Sequence, residues 1–365
     1  MNENKYLLNN TEAIFLILIV LINKLLLNLP STIVTTTASG TLINLLFIGL
    51  IVFFILNLFI KLLDNFPPSD ILDISYFLGG KILNTLISII YILLLFFASS
   101  ITLIEVVNIL QIIYFKDFSN IYILLFFIVG ALITNLLGFK SIVRCINFIV
   151  PLTIISIIIS LLGISDNFDI TNFVPILGQN LETTFIKGLS NIFSMYIMIY
   201  FLFLKPMLKE PKNYKKISLI SFFSSFFILI ITIIPILNLY ANTNNSESIN
   251  YLYLLARNIK LGAFLKRVDA IFILLWIFCT LSYTSLSIYM INQILGKLLK
   301  VQTKESLSFF NIGILLILTL IPFNIAKLTF LKTTIYKYLI IILGFILPLI
   351  LLLLANLKKY KNSKT

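Results

Sequence analysis

Residues 11–40 read TEAIFLILIVLINKLLLNLPSTIVTTTASG, and this stretch decides what kind of protein the chain is. Apolar residues run almost unbroken from Ala13 to Leu29. That is about the helix length needed to cross the ~30 Å hydrocarbon core of a bilayer. Asn23, Lys24 and Asn28 interrupt the run near its middle, and Pro30 follows. Proline removes a backbone donor and clashes with the preceding turn, freeing carbonyls that need other partners. A lysine halfway across lipid costs roughly 2.5–3.5 kcal/mol on insertion scales, so it should face protein or water. Two readings follow. The helix is broken here and lines a central site, or the polar groups form a packing face from which Lys24 snorkels.

The rest of the composition points to the membrane too. Of 365 residues, 60% are hydrophobic and 11% charged, where a soluble domain carries about a quarter charged residues. Backbone groups in lipid must bond internally, so the spans should be helices, and no short alternating strand pattern suggests a barrel. The net charge of +13 does not indicate nucleic acid, because the basic residues lie scattered between apolar runs. The chain has no histidine, which excludes a histidine relay or triad, and Cys145 and Cys279 have neither metal-site nor disulfide spacing. No cofactor or metal is implied. The N-terminus lacks a signal-peptide layout, so an uncleaved first span should target the chain.

Ten spans are expected, at roughly 12–36, 41–63, 82–113, 121–139, 141–164, 184–208, 216–240, 268–292, 307–325 and 335–357. The third run is long enough to tilt or to end outside the membrane. Lys and Arg are commoner on the side of the two termini, which places both termini in the cytoplasm. Pro151 and Pro348 fall at similar depths in spans 5 and 10, and Pro30 and Pro206 towards the far ends of spans 1 and 6. That pairing suggests one polytopic domain of two inverted five-span repeats, about 12–164 and 184–357.

Other spans carry polar groups. Glu105 lies deep in span 3, in SSITLIEVVNIL, beside Ser99, Ser100, Thr102 and Asn108. It is the natural partner of Lys24, either as a structural ion pair or as a pair that senses ligand or proton. Span 6 has Gly188, Ser190, Asn191, Ser194 and Tyr196 in its outer half, suited either to unwinding around a ligand or to helix packing. Span 8 supplies Thr280, Ser282, Tyr283, Thr284, Ser285 and Ser287, enough for one face to look at a polar cavity.

The most specific segment is 251–276, YLYLLARNIKLGAFLKRVDAIFILLW. Its Leu255, Ala256, Arg257, Ile259, Gly262, Phe264, Arg267, Asp269 and Trp276 resemble the pattern of the endospore germination permeases, the B subunits of nutrient germinant receptors. Gly138, Arg144 and Pro151 in LLGFKSIVRCINFIVPL, and the loop NFVPILGQNLETTFIKG, are similar to the same family. The resemblance implies the fold of the amino acid–polyamine–organocation transporters: all-α, with broken helices 1 and 6. It also implies a ligand site among spans 1, 3, 6 and 8. The residues expected there are Asn23, Lys24, Asn28, Glu105, Ser190, Asn191, Ser194, Tyr283 and Thr284. The family's glycine-rich turn before Leu29-Pro30 is missing, and Lys24 could stand in for a bound cation. The charged connection before span 8 is expected to form a short outer helix capping the vestibule. In it Asp269 would favour the positive helix end and pair with Arg267 or Arg257, and basic residues would anchor lipid headgroups.

Three functions fit these residues. The first is a germinant receptor subunit in the spore inner membrane, which senses a small nutrient such as an amino acid and signals through A-type and C-type partner subunits. The second is a proton- or cation-coupled amino acid transporter using the same pocket. The third is a scaffold with a vestigial pocket. No hydrolase or kinase motif is present, so the chain is not expected to be an enzyme.

Overall fold

The computed structural model describes residues 6–27, 29–162, 170–178, 180–240, 251–258, 268–301, 306–321 and 330–362. These residues form an all-α integral membrane protein. Asn28 and Arg267 lie outside the described residues.

The first span breaks where Pro30 predicts. Helix α1 (Asn10–Leu26) starts on a capping box in which Glu12 accepts from the Asn9 amide at 2.8 Å. It ends at Leu27, whose backbone is not helical (φ −89°, ψ −138°). Helix α2 (Leu29–Thr37) then begins with Pro30 in its first turn, where an amide donor is not needed. Residues Leu16 to Leu26 of α1 are buried on every side, Asn23 and Lys24 included, so α1 is the central helix of the bundle.

Peripheral helices look different. Helix α3 (Thr41–Asp64) buries Leu45, Ile48, Val52, Leu56 and Phe59 at helical spacing. Its other face exposes Leu46, Leu50, Phe54 and Leu58. A helix that is apolar all round with one side exposed is one that lipid covers. Helices α5 (Asn120–Leu136) and α6 (Phe139–Leu162) cross next. Then come the Glu182–Met207 span, α8 (Tyr214–Tyr240), the short α9 (Tyr251–Asn258), α10 (Val268–Leu299) and α11 (Ser306–Leu320). The last span, Leu331–Lys361, contains α12 (Lys337–Ile341) and α13 (Leu347–Asn362), with π-helical turns at Leu331–Tyr336 and Ile342–Ile346. Among the described residues, seven helical segments are long and apolar enough to cross a membrane, and Asn120–Leu136 and Ser306–Leu320 are shorter apolar helices. α10 packs against α1, α5, α6 and the Ile71–Ile113 helix, which makes it the second central element.

The over-long third run, 82–113, stays one helix, and the break in its element comes just before it. α4 (Ile71–Ile113) is interrupted at Gly79 and at Gly80, whose φ of +64° only glycine adopts easily. The short piece before the break is capped by Asp70, which accepts from the Leu72 and Asp73 amides. The Phe77 and Leu78 carbonyls near the break accept from Lys358 at 2.8 and 3.0 Å. Lys205 donates to Asp64 at 3.0 Å and Asn356 to the Leu62 carbonyl at 3.3 Å, so the 205–209 segment and the last helix meet at one end of α3. Leu8 there pairs with Met207 and Lys209 through backbone hydrogen bonds of 2.8 and 2.9 Å.

The Glu182–Met207 span is the second irregular crossing. It opens with a π-helical turn, Glu182–Ile186, and continues as a 3₁₀-helix over Lys187–Met195. It becomes α-helical only at α7 (Met198–Leu204). A 3₁₀ run of nine residues is unusual, because its hydrogen-bond geometry is poor. Gly188 permits it. A Cβ there would collide with the Asn44 side chain, whose Nδ2 donates to the Thr184 carbonyl at 2.7 Å. The irregular stretch coincides with the Gly188–Tyr196 segment whose composition suggested unwinding.

Candidate functional site

A cavity opens at the break between α1 and α2, against the irregular part of the Glu182–Met207 span. Lys24, Leu27, Leu29 and Thr32 line it from the first span, Ile101 and Glu105 from α4, and Phe193 and Tyr196 from the irregular stretch. Lys332, Thr333 and Tyr336 close it from the last span. Its volume is about 40 Å³. That is room for about three waters, less than a typical ligand pocket of ~300 Å³ or more. The structure therefore holds the site nearly closed.

Its charges are arranged unexpectedly. Lys24 donates to Thr102 Oγ1 at 2.6 Å and lies 4.9 Å from the centre of the Tyr336 ring. The Thr102 hydroxyl in turn donates to the Ala98 carbonyl at 2.7 Å. Glu105 pairs with Lys332. The expected Lys24–Glu105 contact is thus replaced, although both residues line the same cavity. The physical reason is reach. The π-helical start of the last span brings Lys332 onto Glu105, while Lys24 meets α4 one turn nearer its start, at Thr102. The Tyr336 hydroxyl is buried with no hydrogen-bond partner among the described residues.

The remaining expected site residues divide into two groups. Asn23 is buried behind the cavity and accepts from Thr280 Oγ1 at 2.9 Å, tying α1 to α10. Tyr283 is buried, three residues along α10 from Thr280, with its hydroxyl among those of Ser287, Tyr200, Thr102 and Ser99. Neither lines the cavity wall. Asn191 donates to Asn44 Oδ1 at 3.1 Å and so fastens the 3₁₀ stretch to α3. Ser194 is buried with its hydroxyl unpartnered among the described residues, also away from the wall. Ser190 bonds the Lys187 carbonyl at 2.7 Å, and Thr284 the Thr280 carbonyl at 2.8 Å. Both therefore serve their own helices and not the cavity. The polar density of α10 is only partly directed at α1. Ser285 faces α5, sharing a 2.7 Å hydrogen bond with Thr134 while its carbonyl accepts from Asn135.

Of the outer residues, Arg257 is exposed in the last turn of α9. α9 buries Leu252, Leu255 and Ala256 and packs on α6, α8 and α10, so a short helix does precede α10. Asp269, in the first turn of α10, is buried and accepts from the Tyr114 hydroxyl at 2.9 Å. This links α10 to the far end of α4.

Sequence reasoning missed Lys332, Thr333 and Tyr336. Lys332 reads as a loop lysine just outside the last span. The usable signal is Lys332 and Tyr336 spaced one turn apart, a pairing that puts a charge and an aromatic ring on one face. Tyr196 also matters more than its polarity suggested. Its hydroxyl donates to the Val20 carbonyl, joining the irregular span to α1 just before the break.

No curated protein matches the chain. A family model described as spore germination protein, a spore permease, matches residues 7–328, nearly the whole chain. With its helical membrane fold and a charged cavity at the break of its first span, the chain belongs to the spore germination permease family.

Proposed function

We propose that this chain is the B-type subunit of a nutrient germinant receptor and that it senses a small nutrient, such as an amino acid, in the Lys24–Glu105–Lys332 cavity. The single observation that carries the reading is the position of that cavity. It sits where the first span breaks and the Glu182–Met207 span departs from α-helical geometry, so irregular backbone and charged side chains meet at one place in the bundle. Discontinuous membrane helices present helix ends and unwound backbone to a ligand. The near-closed volume supplies the switch. A ligand that fits only a wider cavity shifts the protein to that state through its differential affinity.

In this reading the chain lies in the spore inner membrane with both termini on the core side, and A-type and C-type subunits relay the change. The two halves, about 12–164 and 184–357, are inverted repeats. The irregular first spans of each half and the matched prolines support that arrangement.

The alternative is a proton- or cation-coupled amino acid transporter, favoured by the presence of Glu105 and Lys24 in the same cavity. The purified chain in proteoliposomes separates them. Saturable binding of labelled amino acid without accumulation supports the receptor, and accumulation driven by an ion gradient supports the transporter. Normal germination of spores carrying Glu105→Gln, at unchanged protein level, would remove the cavity from both readings.

A further inference from the structure

The formal charges at the cavity do not cancel. Lys24 and Lys332 face it with Glu105 as the one carboxylate among the described lining residues. Glu105 is committed to Lys332. Lys24 is 6% exposed, and its contacts are a neutral hydroxyl and an aromatic ring. An ammonium has three donor hydrogens, so Lys24 retains donors that Thr102 does not use. The buried Tyr336 hydroxyl, on the same wall and under the same ammonium, is a further donor without an acceptor. Lys337, one residue further on, places a third cation 5.3 Å from the ring centre of Phe193, which is itself a wall residue. The groups facing the cavity from α1, α4 and the last span therefore sum to one positive charge, with unused donors and a third ammonium behind the wall.

Resting on the ligand-site reading above, we infer that the preferred ligand is a carboxylate of net charge −1, received by Lys24 Nζ and Tyr336 Oη. An amine-free carboxylate meets this requirement, and so on net charge does an acidic amino acid, whose second carboxylate offsets its own ammonium, whereas a neutral zwitterion leaves the cavity's positive charge uncompensated. The zwitterion's ammonium would share Glu105 with Lys332, which already pairs with it. In a water-poor site an uncompensated charge is costly, so net charge becomes the discriminating feature.

The test is ligand-induced thermal stabilisation of the detergent-purified full chain. L-lactate, L-glutamate, L-alanine, L-lysine and chloride are each titrated over the same millimolar range at constant ionic strength. The expected result is stabilisation by lactate or glutamate at concentrations roughly tenfold or more below those needed for alanine, as charge-assisted pairing implies. Lysine should have no effect. Lys24→Gln and Tyr336→Phe should each erase the preference for the monoanion. Should either variant fail to fold, the wild-type series still decides. Stabilisation by alanine equal to that by lactate or glutamate, lost in Lys24→Gln, overturns the charge assignment and leaves the ligand site standing. Stabilisation by chloride alone overturns the carboxylate class. No stabilisation by any of them overturns both this inference and the ligand-site reading.

Discussion

Replacing Lys332 by Met tests which lysine holds Glu105. The structure assigns Glu105 to Lys332. The Glu105 side chain is 6% exposed and that of Lys332 19%. Removing one member of a buried pair strands the other, at about 3–5 kcal/mol for a fully buried charge. The stranded partners differ here. In Lys332→Met the carboxylate is left almost without water, but Lys24 shares its cavity and offsets part of the loss. The expected cost is about 2–3 kcal/mol. In Glu105→Gln the freed ammonium sits near the opening on a flexible stem and can reach water, so the cost falls to about 1 kcal/mol. The double variant strands neither group and should be more stable than Lys332→Met alone. Thermal and denaturant unfolding of the four purified proteins yields the coupling energy directly. If Lys332→Met were silent while Lys24→Met coupled strongly to Glu105→Gln, Lys24 would be the true partner and the cavity's charge count would be wrong.

Tyr196→Phe removes the hydroxyl that holds the irregular span to the Val20 carbonyl, and should lower unfolding stability by about 1–2 kcal/mol with the helix content unchanged by circular dichroism. Gly188→Ala pushes a methyl group into Asn44 and should cost about 1–3 kcal/mol, with a smaller loss when Asn44→Ala makes room; equal losses in both backgrounds would refute the close approach. Lys205→Met leaves the Leu63 carbonyl and Asp64 without a partner that now bonds both at 2.9 and 3.0 Å, so the α3 end should exchange its amide hydrogens faster while α10 stays protected. Tyr114→Phe removes the part-buried hydrogen bond to Asp269 and should lower the melting temperature, whereas Arg257→Gln, at an exposed site, should leave it unchanged.

The bilayer's demands are local, and so they were legible. Apolar runs of span length mark the crossings, and Pro30 marks the break in the first one because a missing amide acts within a single turn. The Gly188–Tyr196 composition likewise located the irregular stretch, since small residues allow a close approach wherever a neighbour lies. Lys24 and Glu105 could be placed in one cavity for a related reason: a charge in lipid must find polar company.

Which company it finds is a different matter. Composition and spacing settled by themselves that this is a helical membrane protein and which charges must be sheltered, and they offered the break of the first helix as one of two readings. Only the tertiary structure decided that Glu105 takes Lys332, that Lys24 rests on Thr102 and Tyr336, and that Ser190 and Thr284 serve their own helices. Span and break follow from free energies that each segment carries alone. Partner choice follows from the relative rotation and depth of helices far apart in the chain, and a π-helical turn shifts that rotation without leaving a mark in the hydropathy pattern.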